Sequence, residues 1–263
     1  VFGEMYKKGY IYKGLKPVYW CPNDETALAE AEIEYQDDPC TTVYVKFQMK
    51  DDQGKLAAYD HSKLYFVIWT TTIWTLPGNL AIALHPDESY ALVKAPNGET
   101  YIMAEALVEK VMKVGGFDSW EIAETHPGSF FENMLAQHPF LDKTSRLLLA
   151  DYVTMDSGTG CVHTAPGFGA DDYQTCLRYG MDMVVPVDDQ GRHTDYAGKY
   201  AGMKTEESNP VILADMKESG ALFASEEIVH SYPHCWRCKK PIIFRATPQW
   251  FCSVDAFKDE ACA

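Results

Sequence analysis

Between residues 27 and 35 apolar and acidic side chains alternate, with Ala27, Ala29, Ala31, Ile33 and Tyr35 set against Leu28, Glu30, Glu32 and Glu34. These residues are good helix formers, but a period of two outweighs propensity and predicts a half-buried strand. Runs rich in β-branched and aromatic residues, separated by Gly, Pro, Asn and Asp, predict further strands at 41–49, 64–69, 80–84, 90–93, 119–123 and 146–150. Helical spacing appears in 104–114, 170–179 and 209–219, the last with Pro210 in its expected first turn and Gly220 as its stop. The pattern predicts a mixed, β-rich fold with its helices at the periphery.

The strand-rich middle spans residues 39–225, and the flanks 1–38 and 226–263 read as entry and return connections, aromatic-rich and Cys-containing. An inserted domain has this shape, with entry and exit strands side by side. At 263 residues, 46% hydrophobic and 13% aromatic, the chain can bury one sizeable core or two modest ones. No stretch has the length and apolarity of a membrane span, and the start lacks the layout of a signal peptide. A chain that begins with Val1 is expected to be a piece of a longer polypeptide.

A formal net charge of -15 argues against a surface devoted to gripping phosphates, because nucleic-acid affinity comes largely from neutralising them with Lys and Arg. Arg237, Lys239, Lys240 and Arg245 crowd one C-terminal stretch, where a solvated charged face is the plainer reading. The eight cysteines are scattered and the chain is large enough for its own core, so reduced cytoplasmic thiols are expected in place of a disulfide framework. Only Cys235 and Cys238 form a C-x-x-C pair.

Two motifs carry candidate chemistry. In WTTTIWTLPGN, residues 69–79, an apolar strand delivers Thr70, Thr71, Thr72 and Thr75 to a loop ending at Asn79. Hydroxyls on stiff side chains suit the positioning of a small polar substrate, although a Thr-rich edge strand has the same appearance. In GTGCVHTAPGFGADDY, residues 158–173, a glycine-rich turn leads to a short strand ending in His163 and then to a loop entering a helix. Of Asp171 and Asp172, one can cap that helix while the other faces the His163 loop, where a carboxylate could bind an ammonium group. The stretch fails as a phosphate loop, since no Lys-Ser or Lys-Thr follows its glycines.

Together the two motifs resemble the paired editing signature of isoleucyl-tRNA synthetases. The flanks GLKPVYWCPNDETALAEAEIEY and SYPHCWRCKKPIIFRATPQWF are similar to that family's connecting segments, so the likeness covers nearly the whole chain. The sister editing domains of valyl and leucyl enzymes carry an Arg after the paired threonines, where this chain has Thr72. The resemblance implies a β-barrel-like editing core with peripheral α-helices, hydrolysing valine from the 3′ end of tRNA(Ile). Its partners are then that tRNA and the remainder of a monomeric, cytoplasmic synthetase in the same polypeptide. Carried over, Thr72, His163 and Asp172 form the catalytic group, with Asp172 holding the substrate ammonium. Thr70, Thr71, Trp74, Thr75, Asn79 and Phe168 line the pocket. Ile73 replaces a proline commonly found in the family, and Phe168 stands where many members have a second histidine.

Direct attack by water, oriented by Thr72, His163 and the substrate's own ribose hydroxyl, is the expected chemistry, since no G-x-S-x-G elbow is present. Editing itself needs no cofactor. ATP and Mg belong to the full-length synthetase, and neither of its ATP-handling motifs occurs here. A structural zinc held by Cys21, Asp24, Cys235 and Cys238 competes with packed free thiols, Asp24 standing where a second C-x-x-C would place a cysteine. The alternatives are a non-catalytic RNA-binding module, a valyl- or leucyl-type editing domain and, more remotely, a cysteine hydrolase.

Overall fold

The computed structural model describes residues 1–262. Helix α1 (Phe2–Lys7) precedes strands β1 (Ile11–Cys21), β2 (Thr26–Leu28), β3 (Ile33–Asp51), β4 (Leu64–Thr70), β5 (Ala81–Leu84), β6 (Ser89–Lys94) and β7 (Thr100–Ala104). After α2 (Val108–Val114) come β8 (Glu121–Pro127), β9 (Leu135–Gln137), β10 (Thr144–Leu149) and β11 (Val162–Thr164). Helices α3 (Ala170–Arg178) and α4 (Thr205–Glu218), strands β12 (Leu222–Cys235) and β13 (Ile243–Cys252), and helix α5 (Lys258–Cys262) complete the order.

Strands β3, β9, β10, β5, β11 and β4 follow one another in a sheet, and β4 pairs back onto β3, so the six close into a ring. Closure removes the free edges that would otherwise need protection. The ring is possible because its longest strands are shared. Val43 of β3 pairs with both β12 and β4, while Gln48 pairs with both β4 and β9, so β12 and β9 occupy successive stretches of one edge. On β4, Tyr65 pairs with β3 and β7 and Trp69 with β3 and β11, which lets β7, β6 and β8 fan away from the ring. Phe47, Phe66, Ile68, Leu76, Ile82, Tyr90 and Phe131 are buried together as the main core. The helices are peripheral to this sheet.

The connections form a second, smaller sheet in the order β13-β1-β2. Strands β1 and β13 run antiparallel from Ile11 opposite Cys252 to Trp20 opposite Ile243, so the two flanking segments lie side by side. Strands β3 and β12 each run continuously from the connections into the ring, pairing from Ile33 opposite Cys235 to Val45 opposite Leu222.

Four elements differ from the periodicity. The alternating run 27–35 is not one strand: β2 ends at Leu28, a 3-10 turn occupies Glu30–Glu32, and β3 begins at Ile33. The Glu32 carboxylate accepts the Ala29 N–H at 2.9 Å, a local side-chain bond that closes the turn. The helical span 104–114 divides into a 3-10 turn, Glu105–Leu107, and α2. The strand expected at 119–123 starts at Glu121 and continues to Pro127. Helix α4 starts at Thr205, so Pro210 lies inside it and not in its first turn, while Gly220 at φ 73° provides the expected stop. No helix among the described residues is long and apolar enough to cross a membrane.

Candidate functional site

Strand β4 ends at Thr70, and the chain then tightens into a 3-10 turn, Ile73–Gly78, whose six residues are all buried. The threonines build this turn themselves. Thr70 Oγ1 accepts the Thr72 N–H at 3.1 Å, and both the backbone N–H and the hydroxyl of Thr75 donate to Thr72 O, at 3.2 and 2.7 Å. A Cβ at Gly78 would stand 2.7 Å from Cε2 of Phe168, so the glycine is what lets the second motif pack on the first. Gly167 is equally constrained, since a Cβ there would meet Val184 O at 2.2 Å. Phe168 then sets its ring edge-to-face against Trp74, centroids 4.9 Å apart.

The donors and acceptors around His163 can be assigned completely. Asn79 Nδ2 donates to Ala81 O at 2.8 Å, which fixes the amide orientation, and its second hydrogen goes to His163 Nδ1 at 2.8 Å. Nε2 therefore carries the imidazole proton and donates to Thr75 Oγ1 at 3.0 Å, while Thr75 passes its own hydrogen to Thr72 O. Ser145 donates to Asn79 Oδ1 and closes the network. Burial, reinforced by nearby Lys143, pushes His163 down to about 3, consistent with a neutral ring. Both ring nitrogens thus have protein partners, and the ring forms part of the cavity wall beside Thr75.

Asp172 takes the second of the two readings of the acidic pair, facing the His163 loop, and neither aspartate caps the helix. Helix α3 has no side-chain cap, Asp171 is exposed, and Asp172 turns back to accept the Ala165 N–H on Oδ2 at 2.8 Å. Its carboxyl is pushed up to about 6, mainly by burial and secondarily by Asp171, against the Ala165 bond. It is a carboxylate at neutral pH that still lacks a charged partner.

A cavity of about 190 Å³ lies between the motifs. Thr70, Thr72, Trp74, Thr75, His163, Phe168 and Asp172 line it, as the sequence led one to expect. Asn79 does not: it is fully buried behind His163 and acts on the cavity through that ring. Thr71 lines a second cavity of about 440 Å³, which shares Thr72, Trp74 and Tyr232 with the first. Tyr232 and Phe244 were not singled out as site residues. They arrive from β12 and β13, and only the pairing of the return connection brings them in. None of the cysteines lines the smaller cavity. Ile73 is buried in the main core, so apolar packing holds the position where a proline was expected.

A second cluster lies in the connections. Donor atoms of Cys21, Asp24, Cys235 and Cys238 all lie within 4.8 Å of one another. Cys21 and Cys238 sulfurs are 3.5 Å apart, and Cys235 Sγ lies 3.3 Å from Asp24 Oδ2. A tetrahedron with Zn–S bonds of about 2.3 Å has edges near 3.8 Å, so the set fits such an ion. The two loops share a design, since the residue after each second donor, Glu25 and Lys239, has a left-handed backbone, φ 48° and 60°. Burial pushes the Cys21 thiol up to about 12, and a cation would supply the charge that favours its ionisation. All eight cysteines are free thiols. In the basic stretch nearby, Arg245 pairs with Asp189 at 2.6 Å and lies over Trp20, and Lys239 pairs with Glu34 at 2.7 Å, whereas Lys240 donates to Asn23 Oδ1 and the exposed Arg237 lies over Trp236.

A family model described as tRNA synthetases class I (I, L, M and V) matches residues 1–263. The chain is 56% identical over 263 residues to an isoleucine–tRNA ligase of Caldicellulosiruptor saccharolyticus, covering 99% of this chain and 28% of that protein. It is 52% identical over 255 residues to one of Kosmotoga olearia, covering 97% of this chain and 27% of that protein. Among solved structures it is similar to the P. knowlesi cytosolic leucyl-tRNA synthetase editing domain, with a TM-score of 0.54, 12% identity, and coverage of 73% of this chain and 97% of that one. The corresponding P. falciparum domain gives a TM-score of 0.54 at 10% identity, covering 72% and 99%. At such identities these two likenesses establish the fold alone.

Proposed function

Since the chain belongs to the class I tRNA synthetases of the isoleucine, leucine, methionine and valine group, we propose that its smaller cavity hydrolyses the ester of valine wrongly attached to tRNA(Ile). The observation that carries this reading is Asp172, a carboxylate without a cationic partner in a small cavity walled by hydroxyls and aromatic rings. The α-ammonium of an aminoacyl ester is the complement of that group.

With the ammonium on Asp172, the aminoacyl side chain lies toward Trp74, Thr75 and Phe168. Water attacks the ester carbonyl carbon, the bond to the ribose oxygen breaks, and that oxygen takes the proton the water releases. The products are free valine and a tRNA with its terminal hydroxyl restored. Thr72 and the neighbouring ribose hydroxyl orient the water, and His163 serves by holding Thr75 and not as a base. An activated ester needs little beyond placement and a polar setting for the developing oxyanion.

Selectivity follows from volume. One methylene is worth about 1–3 kcal/mol of discrimination in a single pocket, so a second, smaller pocket adds what the first cannot. The rigid Trp74–Phe168 wall, seated on Gly78, is the element that excludes isoleucine. Thr72, in place of the arginine of the sister domains, favours the isoleucine system. The deciding experiment gives the chain valyl-tRNA(Ile) and isoleucyl-tRNA(Ile) side by side. Selective release of valine supports the reading, and equal release of both, or of neither, removes it. We further propose a zinc ion on Cys21, Asp24, Cys235 and Cys238, where it would tie the entry to the return segment without taking part in hydrolysis.

A further inference from the structure

The Ile73–Gly78 turn is held from outside the cavity by residues with no assigned role. Strands β9 and β10 pair as a hairpin whose loop, residues 138–143, abuts the end of the turn. At the end of the turn Leu76 O already accepts the Asn79 N–H, and both it and Pro77 O receive donors from outside the turn. Two come from this loop: His138 Nε2 donates to Leu76 O at 2.9 Å, and Lys143 Nζ to Pro77 O at 2.6 Å. His138 is itself fixed, its Nδ1 accepting the N–H groups of Phe140 and Leu141 at 3.3 and 3.1 Å. The Lys143 ammonium lies 4.9 Å from the Tyr196 ring centroid and is half-buried. On β10 itself, Ser145 holds Asn79, so one hairpin contacts three successive parts of the motif, at Leu76, Pro77 and Asn79.

We propose that Lys143 and His138 are positioning residues that clamp the Ile73–Gly78 turn, and through it set where Trp74 and Thr75 stand in the wall of the hydrolytic cavity. Neither residue lines that cavity. Lys143 supplies a charge-assisted bond to a backbone carbonyl, a contact that a neutral side chain of similar length does not reproduce. Its loss lets the turn retreat and widens the space that is meant to exclude the larger amino acid.

The catalytic consequence rests on the proposed hydrolysis, so the test has one arm independent of activity. Hydrogen exchange reads the Thr75 and Asn79 amides, whose bonds to Thr72 O and Leu76 O define the turn. In Lys143→Met these amides exchange about tenfold faster while the β3–β4 ladder is unchanged, and Lys143→Arg restores protection. In the kinetic arm, Lys143→Met raises KM for the valyl ester with kcat little changed and begins to release isoleucine, and Lys143→Arg reverses both. Should Lys143→Met fail to fold, Lys143→Gln, one atom too short to reach Pro77 O, is held to the same outcomes. Unchanged exchange in the turn overturns the clamp whatever the kinetics. A wild-type chain that releases no valine counts against the hydrolytic reading, and exchange alone then decides the clamp.

Discussion

The two chemically loaded clusters satisfy their polar groups in opposite ways. Around His163 the polar groups are bonded in a chain, from Ser145 through Asn79, His163 and Thr75 to Thr72, while the Asp172 charge has no cationic partner. In the connections, Cys21, Asp24, Cys235 and Cys238 turn their donor atoms mainly toward one another. Under the proposed hydrolytic reading, a cavity that receives a passing substrate keeps its shape when empty, its walls bonded internally and Asp172 left to recognise the ligand. Under the proposed zinc reading, the second cluster can leave its donors converging because an ion would complete them.

The sharpest way to break this contrast is to remove the one unmatched charge. Asp172→Ala is expected to lower kcat/KM for valyl-tRNA(Ile) at least about 100-fold with the fold intact, as steady-state hydrolysis and circular dichroism would register. Near-normal hydrolysis would mean that the ammonium is held elsewhere. Next in size is the other cluster. On the proposed zinc site, metal analysis should find one zinc per wild-type chain and none in Cys235→Ala. The substitution should also shift local unfolding of the β1–β13 pair roughly 30-fold toward the open state, with the ring unaffected.

A smaller, graded effect comes from pH. The ammonium binds the ionised form of Asp172, so KM should fall about tenfold per unit as pH rises toward 6 and level off above it, and Asp172→Asn should abolish the slope. Stability should show both signs. Raised from 3.8 to about 6, the Asp172 carboxyl stabilises the native state below its unfolded value and loses that contribution as pH rises through about 6. His163 and His138, pushed from 6.5 to about 3, give their full contribution above 6.5 and lose it as pH falls toward 3. Because two buried histidines oppose one carboxyl, thermal unfolding followed from neutral pH down to about pH 4 should fall overall. The smallest effect is assigned to Thr71→Ala. Thr71 lines only the larger cavity, so less than about a twofold change in hydrolysis is expected there. A large loss would place the substrate across both cavities.

Much of this molecule was legible in order along the chain. Strands β4, β5, β6 and β10 follow from β-branched and aromatic runs, and Gly220 stops α4 as its φ requires. The two motifs pointed to Thr72, Trp74, Thr75, His163 and Asp172, which do meet in one cavity. The flanks were expected to hold entry and exit strands side by side, but the bounds of β1, β12 and β13 could not be read, because β1 pairs with β13 and β12 with β3 across distances that no local window contains.

What the sequence determined by itself is the inventory: threonines with stiff hydroxyls, a histidine and an aspartate at loop ends, three cysteines and an aspartate at matching spacings, and a family likeness across nearly the whole chain. What only the tertiary structure decided is the role of each. His163 became a wall group because Asn79 and Thr75, more than eighty residues before it, take both of its nitrogens. Asp172 became the charge left over because burial and the Ala165 N–H hold it at the cavity and away from the helix end. His138 and Lys143 bear on the cavity only through the Leu76 and Pro77 carbonyls they reach. Residue type sets what a group can donate or accept, whereas long-range closure of the ring sets which partners remain, and reactivity is what is left unpaired.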